Sequence, residues 1–147
     1  VTRIEFDRSF QFLAAMDAAI ATATEKSAVE LVEKLKAKLQ GPRHGRTYTV
    51  SGKPSPHTAS APGEAPAHWE GILAGAIKHL PLPGGGQEIF VDDDEAAYAG
   101  KFLEFGSPGG KIAARPWFRP TADAHEAEYV ATIEAAAAAA LGILGRG

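Results

Sequence analysis

Thr121-Ala122-Asp123-Ala124-His125-Glu126-Ala127-Glu128-Tyr129-Val130, running on through six consecutive alanines (Ala135 to Ala140) to Leu141, contains neither proline nor glycine. Residues 1–40 contain neither as well. All ten prolines lie between Pro42 and Pro120, and 13 of the 16 glycines lie between Gly41 and Gly110. Proline and glycine cost about 3 and 1 kcal/mol inside a helix, so this distribution predicts a helix at each end and an irregular, β-containing centre. Helices segregated to the ends, instead of alternating with strands, predict an α+β class: a small, mainly antiparallel β-sheet packed with long N-terminal and C-terminal helices.

The first flank adds a helical stripe, Leu13, Met16, Ile20, Leu31, Leu35 and Leu39. Asp7 or Ser9 is the expected cap, Gly41-Pro42 the stop, and Glu30 with Lys34 an i,i+4 pair on the outer face. On the second flank Val130, Ile133, Ala137 and Leu141 share one face, suited to close packing against another helix. Between the flanks, residues 41–69 show no sustained period, apart from a short strand expected near Thr47 to Val50. Irregular segments longer than about 12–15 residues usually bind something. Ile72 to Leu80 and Gln87 to Asp92 read as two strands joined by a hairpin turn. The acidic run Asp92 to Glu95 can precede a helix, and Tyr98, Phe102 and Phe105 recur at helical spacing.

A chain of 147 residues fits a single domain, taken as 1–147 with an extended loop at about 41–69. The absence of cysteine excludes disulfide scaffolds, thiolate metal sites and thiol catalysis. A net charge of −3 predicts no general adhesion to nucleic acid or membrane, and no stretch has the length of a membrane span. A soluble protein of a reducing compartment is expected. The loop 41–63 is locally basic, with Arg43, Arg46 and Lys53 and no acid, so a small nucleic-acid-binding protein is the alternative reading.

Enzyme motifs are weak. The five histidines form no close metal-binding pair, and no cofactor is expected. Gly106-Ser107-Pro108-Gly109-Gly110-Lys111 lacks the spacing and the final Ser or Thr of a phosphate loop. Ser51 and Ser60 near His57 lie in no nucleophile elbow. The chain is expected not to be an enzyme.

Tyr98-Ala99-Gly100-Lys101-Phe102-Leu103-Glu104-Phe105-Gly106-Ser107 resembles the Tyr-Ala…Glu-Phe-Gly-Thr signature of tailed-bacteriophage neck and tail-completion proteins, the head–tail joining family. Ala114-Arg115-Pro116-Trp117-Phe118-Arg119-Pro120 fills the slot of that family's second block, which leads into a C-terminal helix. Upstream, Ser60-Ala61-Pro62-Gly63-Glu64-Ala65-Pro66-Ala67 is similar to its Ser-Ala-Pro-Gly-Glu-Pro-Pro-Ala loop, and Gly71-Ile72-Leu73 to its Thr-Gly-x-Leu. The similarity spans about Leu31 to Leu141. Trp69-Glu70 before Gly71 and Ser107 after Gly106 depart from the pattern.

The resemblance implies a structural virion protein at the head–tail junction, in the neck as a tail-completion or tail-terminator component. Its implied partners are further copies of itself in a ring (six-fold, with twelve-fold the alternative), head-side connector or stopper proteins, tail tube or terminator proteins, and genomic DNA passing through the lumen. No membrane is implied. Tyr98, Ala99, Glu104, Phe105, Gly106, Arg115, Pro116, Trp117, Phe118 and Pro120 form the expected structural motif, and Arg43, Arg46, Tyr48, Lys53 and Trp69 the interface loop. Glu104, flanked by Leu103 and Phe105, needs a partner if buried, and Arg115 is the expected one.

Overall fold

The computed structural model describes residues 4–41, 43–49, 51–53, 55–66 and 71–144, with the side chains of 4–10 and 143–144 outside that description. Trp69 of the expected interface loop, and Val50 at the end of the expected strand, lie outside the described residues. The order is α1 (Ile4–Lys38), β1 (Thr47–Tyr48), β2 (His57–Thr58), α2 (Ile72–Ala76), β3 (Ile77–Pro81), β4 (Gln87–Val91), α3 (Asp94–Phe105) and α4 (Phe118–Leu144). The fold is α+β. Its strands form two separate antiparallel pairs, β1–β2 and β3–β4, not one sheet. Among the described residues no helix is long and apolar enough to cross a membrane.

The 35 residues of α1 make a rod about 52 Å long. It begins at Ile4, so Asp7 and Ser9 lie inside it and do not cap its start. Its buried face is Ala23, Thr24, Ser27, Ala28, Val32, Leu35 and Leu39. Leu13, at the head of the expected stripe, is exposed. α4 runs antiparallel along this face: Trp117 and Phe118 pack beside Leu35 and Leu39, and His125 reaches Ser27 farther along. Alanine, serine and threonine at the contact let the two backbones approach closely.

The expected α4 face is met only in part: Ile133 and Ala137 are half-buried but Val130 and Leu141 are exposed, and the buried positions of the helix are His125 and Ala140. Six alanines in a row give periodicity nothing to distinguish, and the large residues at the start of the helix decide which side turns inward. The expected Glu30–Lys34 pair is also replaced. Lys26 lies 3.9 Å from Glu30, and Lys34 turns across the interface to Glu128 and His125.

Ile72 to Ala76, expected as strand, is a short helix, and β3 begins only at Ile77. The apolar run has no period that separates helix from strand. Turning it helical puts Ala74 and Ala76 into the interior, with Leu73 packed against the core. The β3–β4 hairpin registers Ile77 with Val91 and Pro81 with Gln87. Gly84, Gly85 and Gly86 close it with φ of 86°, 104° and 90°, a run no other residue type would adopt without strain. Val32, Leu35, Leu39, Ala74, Ile77 and Trp117 form the core. We expect Leu35→Ala, at a fully buried site, to cost about 2–5 kcal/mol in urea unfolding, and Val130→Ala to stay within about 0.5.

Candidate functional site

Glu104 of the expected structural motif meets Trp117 and Phe118 at the junction of α3 and α4. α3 starts with Asp93 accepting from the Ala96 N–H at 2.7 Å and ends at Gly106, whose N–H donates to Phe102 O. Gly106 has φ 80°, and a Cβ there would lie 3.1 Å from Ile112 O. Glu104, one position before the end of α3, is 8% exposed. Its Oε2 accepts from the N–H groups of Trp117 (2.7 Å) and Phe118 (2.9 Å), and its Oε1 from that of Arg119 (3.0 Å).

A helix leaves its first four N–H groups without partners, here those of residues 117 to 120. Glu104 satisfies three, and Pro120 has no N–H to satisfy. The carboxylate also lies at the positive end of the α4 dipole. Trp117 Nε1–H donates to Gly100 O at 3.3 Å, so its ring joins the same two helices.

Arg115 is therefore not the partner of Glu104. Its backbone N–H donates to Leu103 O at 2.6 Å and its guanidinium reaches Ser60 Oγ at 3.3 Å, while its Nε is buried without a hydrogen bond. The expected ion pair fails because a helix N-terminus supplies three aligned donors at no side-chain entropy cost. We expect Glu104→Ala to destabilise by about 3 kcal/mol, because buried donors lose a charged acceptor, and Glu104→Gln by about 1–2. Arg115→Met should cost less than about 1 kcal/mol, with a thermal double-mutant cycle additive to within about 0.5.

The segment 41–66 is largely irregular, as expected, and folds back on itself through a short ladder at the strand expected near Thr47. Thr47 pairs with Thr58 and Tyr48 with His57, Gly45 N–H donates to Ala59 O, and Ala59 N–H donates to Arg46 O. Ser60 is buried, and Ala65 packs on the core, so the root of this hairpin belongs to the subunit's own interior. Glu64 fastens the root, accepting from Ala61 N–H (2.7 Å), His44 N–H (3.1 Å) and the His44 ring. The Ala61 amide above all, then His44, holds the Glu64 carboxyl down from 4.5 to about 2.

A depressed carboxylate contributes stability above its unfolded pKa and loses it as pH falls through its folded one. We therefore expect protection of the Ala61 and His44 amides against hydrogen exchange to be intact above about pH 4.5 and to fade towards pH 2. Glu64→Gln should lack that titration.

The remaining expected residues divide by exposure. Tyr98 (67%) and Phe105 (70%) face outward, although their spacing suggested a buried face. The inner face of α3 is Ala96, Gly100 and Glu104, and Tyr98 meets Phe102 edge to face at 4.5 Å. Ala99, Pro116 and Pro120 are exposed, and Phe118 is half-buried. Beside Phe105 an open groove of about 270 Å³ is lined by Val91, Ala97, Lys101, Trp117 and Phe118. Arg43, Arg46, Tyr48 and Lys53 are exposed on the hairpin.

One buried group escaped the sequence reading. His125 is 3% exposed, with Nε2 2.9 Å from Ser27 Oγ and 3.1 Å from Ser27 O, and Nδ1 3.1 Å from Lys34 Nζ. Lys34 also holds Glu128, whose carboxyl it keeps below its ordinary pKa by hydrogen bond and charge. Serine, histidine and glutamate thus adjoin, but the protons are placed wrongly for nucleophilic catalysis. A carbonyl only accepts, so Nε2 carries the hydrogen towards Ser27 O, while Nδ1 faces the Lys34 ammonium at 3.1 Å and the Glu128 carboxylate at 3.5 Å. The imidazole has no base aimed at Ser27. The signal in the sequence was its spacing of seven from Phe118, two helical turns along the same face.

Among the described residues no three His, Cys, Asp or Glu side chains are grouped to hold a metal. Comparison of the chain with protein families, with curated proteins and with solved structures finds no match.

Proposed function

We propose that this chain is a structural virion protein of tailed bacteriophages, a head–tail joining subunit that forms a ring in the neck and lets DNA through its lumen. The observation that carries the reading is the convergence of three of the four sequence blocks on which the resemblance rests. Glu104 of the first block closes the helix that follows Trp117 of the second, and Arg115 of the second reaches Ser60 of the third, 55 residues upstream. Glu104 and Trp117, two residues of the signature, thus tie α3 to α4, while Tyr98 and Phe105 are left on the surface.

A second feature supports assembly. Among the described residues twelve large hydrophobics are exposed, against five large ones buried (Val32, Leu35, Leu39, Ile77 and Trp117). Leu80 and Leu82 at the β3–β4 hairpin tip, Tyr98 and Phe105 on α3, and Ile112 beyond it are apolar surface that neighbouring subunits would cover. Chemistry plays no part in this role. Interface affinity and subunit number do.

Negative-stain images and native mass of the purified protein test the reading, together with its position in virions. We expect closed rings and labelling at the neck. A monomer at tens of micromolar that is also missing from necks overturns the proposal. Tyr98→Ser with Phe105→Ser, at outward positions, should leave stability within about 0.5 kcal/mol while reducing head–tail joining.

A further inference from the structure

Residues 41–63 hold Arg43, Arg46 and Lys53 and no acid, while the rest of the chain holds 12 Lys and Arg against 18 Asp and Glu, a net −6. The fold turns this basic stretch into an arm, a two-stranded ribbon whose root is fixed by Glu64 on one side and by the Arg115–Ser60 contact on the other. Arg43, Arg46, Tyr48 and Lys53 are all exposed on it, and the Arg46 guanidinium stands 5.2 Å over the Tyr48 ring.

The arm's chemistry is one-sided. From Arg43 to Thr58 its polar side chains are two arginines, one lysine, two histidines, three threonines, two serines and Tyr48. Every one of them can donate a hydrogen bond, and none is Asp, Glu, Asn or Gln. Such a surface fits a partner that presents acceptors and negative charge throughout. Guanidinium, ammonium and hydroxyl groups are the usual ligands of backbone phosphates. A DNA duplex presents phosphates as a continuous run, whereas carboxylates on a protein surface are scattered.

We propose that the arm is a binding site for the phosphate backbone of duplex DNA, held without base preference through Arg43, Arg46 and Lys53. The inference stands on the arm alone and does not require the ring.

The test is fluorescence anisotropy of a labelled duplex of about 30 base pairs with the purified full chain, from about 50 to about 200 mM NaCl. Three phosphate contacts give a slope of log K against log salt near −2.7 for each arm engaged, a weakening of roughly 40-fold across that range. The triple variant Arg43→Gln, Arg46→Gln, Lys53→Gln should lose about tenfold or more at the lowest salt and flatten the slope. The charge-preserving triple Arg43→Lys, Arg46→Lys, Lys53→Arg should retain binding, and Lys26→Gln with Lys78→Gln, away from the arm, should leave it unchanged. If the neutralised triple loses its fold, Lys53→Gln alone is expected to lower the slope by about 0.9.

No binding at about 50 mM salt, or binding indifferent to all the arm variants, overturns the proposal. So does a neutralised triple that keeps its DNA affinity but dissociates an oligomer in light scattering, which would assign the arm to the acidic surface of a second copy. Attachment to anionic phospholipid vesicles without DNA binding would likewise overturn it in favour of a lipid headgroup. Loss of rings with DNA binding intact would count against the head–tail reading and leave this one standing.

Discussion

Glu104 is one carboxylate with three backbone hydrogen bonds to Trp117, Phe118 and Arg119, and the position of α4 depends on it. Burying a carboxylate is costly unless donors surround it, and starting a long helix inside a protein is costly unless its first amides find acceptors. Each requirement here meets the other. Pro120 completes the arrangement by lacking the fourth N–H, and Trp117, drawn inward with the amides, fills the core and ties its indole N–H to α3. With α4 fixed at its start, its small-residue face has one register against α1, and the Ser27–His125–Lys34–Glu128 chain of contacts can form only in that register.

The thin core explains why so few contacts decide so much. Five large hydrophobics are buried among the described residues, and the α1–α4 contact is made largely of alanine, serine and threonine, which remove little apolar area from water. Specificity therefore falls to polar groups. Glu104 sets one end, His125 the middle of the helix pair, and Glu64 the root of the β1–β2 arm. A chain built this way leaves much of its apolar surface outside.

Much of this was legible in the sequence, and for a physical reason in each case. Proline and glycine mark where helices cannot be, so the two long helices and the α+β class follow from their distribution. Asp92 to Glu95 followed by Tyr98, Phe102 and Phe105 announces α3. The side of each helix that turns inward stayed hidden. Tyr98 and Phe105 look like core residues until Glu104, between them in sequence, claims the inner face. Val130 and Leu141 look buried because the alanines around them carry no preference. Glu104 invited a charged partner, and the one it takes is backbone, which no side-chain pattern displays. Within the irregular central segment only the strand near Thr47 was legible; its partner, His57 and Thr58, is too short to leave a period in the sequence.

The geometry around Glu104 also governs where the chain can change length. Each residue added within α3 rotates the later part of the helix by about 100°, so a single insertion between Asp93 and Glu104 would swing the carboxylate off the α4 amides. The turn after α3 is different. Ser107 and Ile112 close it on themselves, with Ser107 N–H donating to Ile112 O and Ile112 N–H to Ser107 Oγ. Only its ends, Gly106 and Arg115, are bound to the rest of the fold. The turn can therefore be lengthened or shortened without displacing Glu104, whereas the residue count of α3 cannot change.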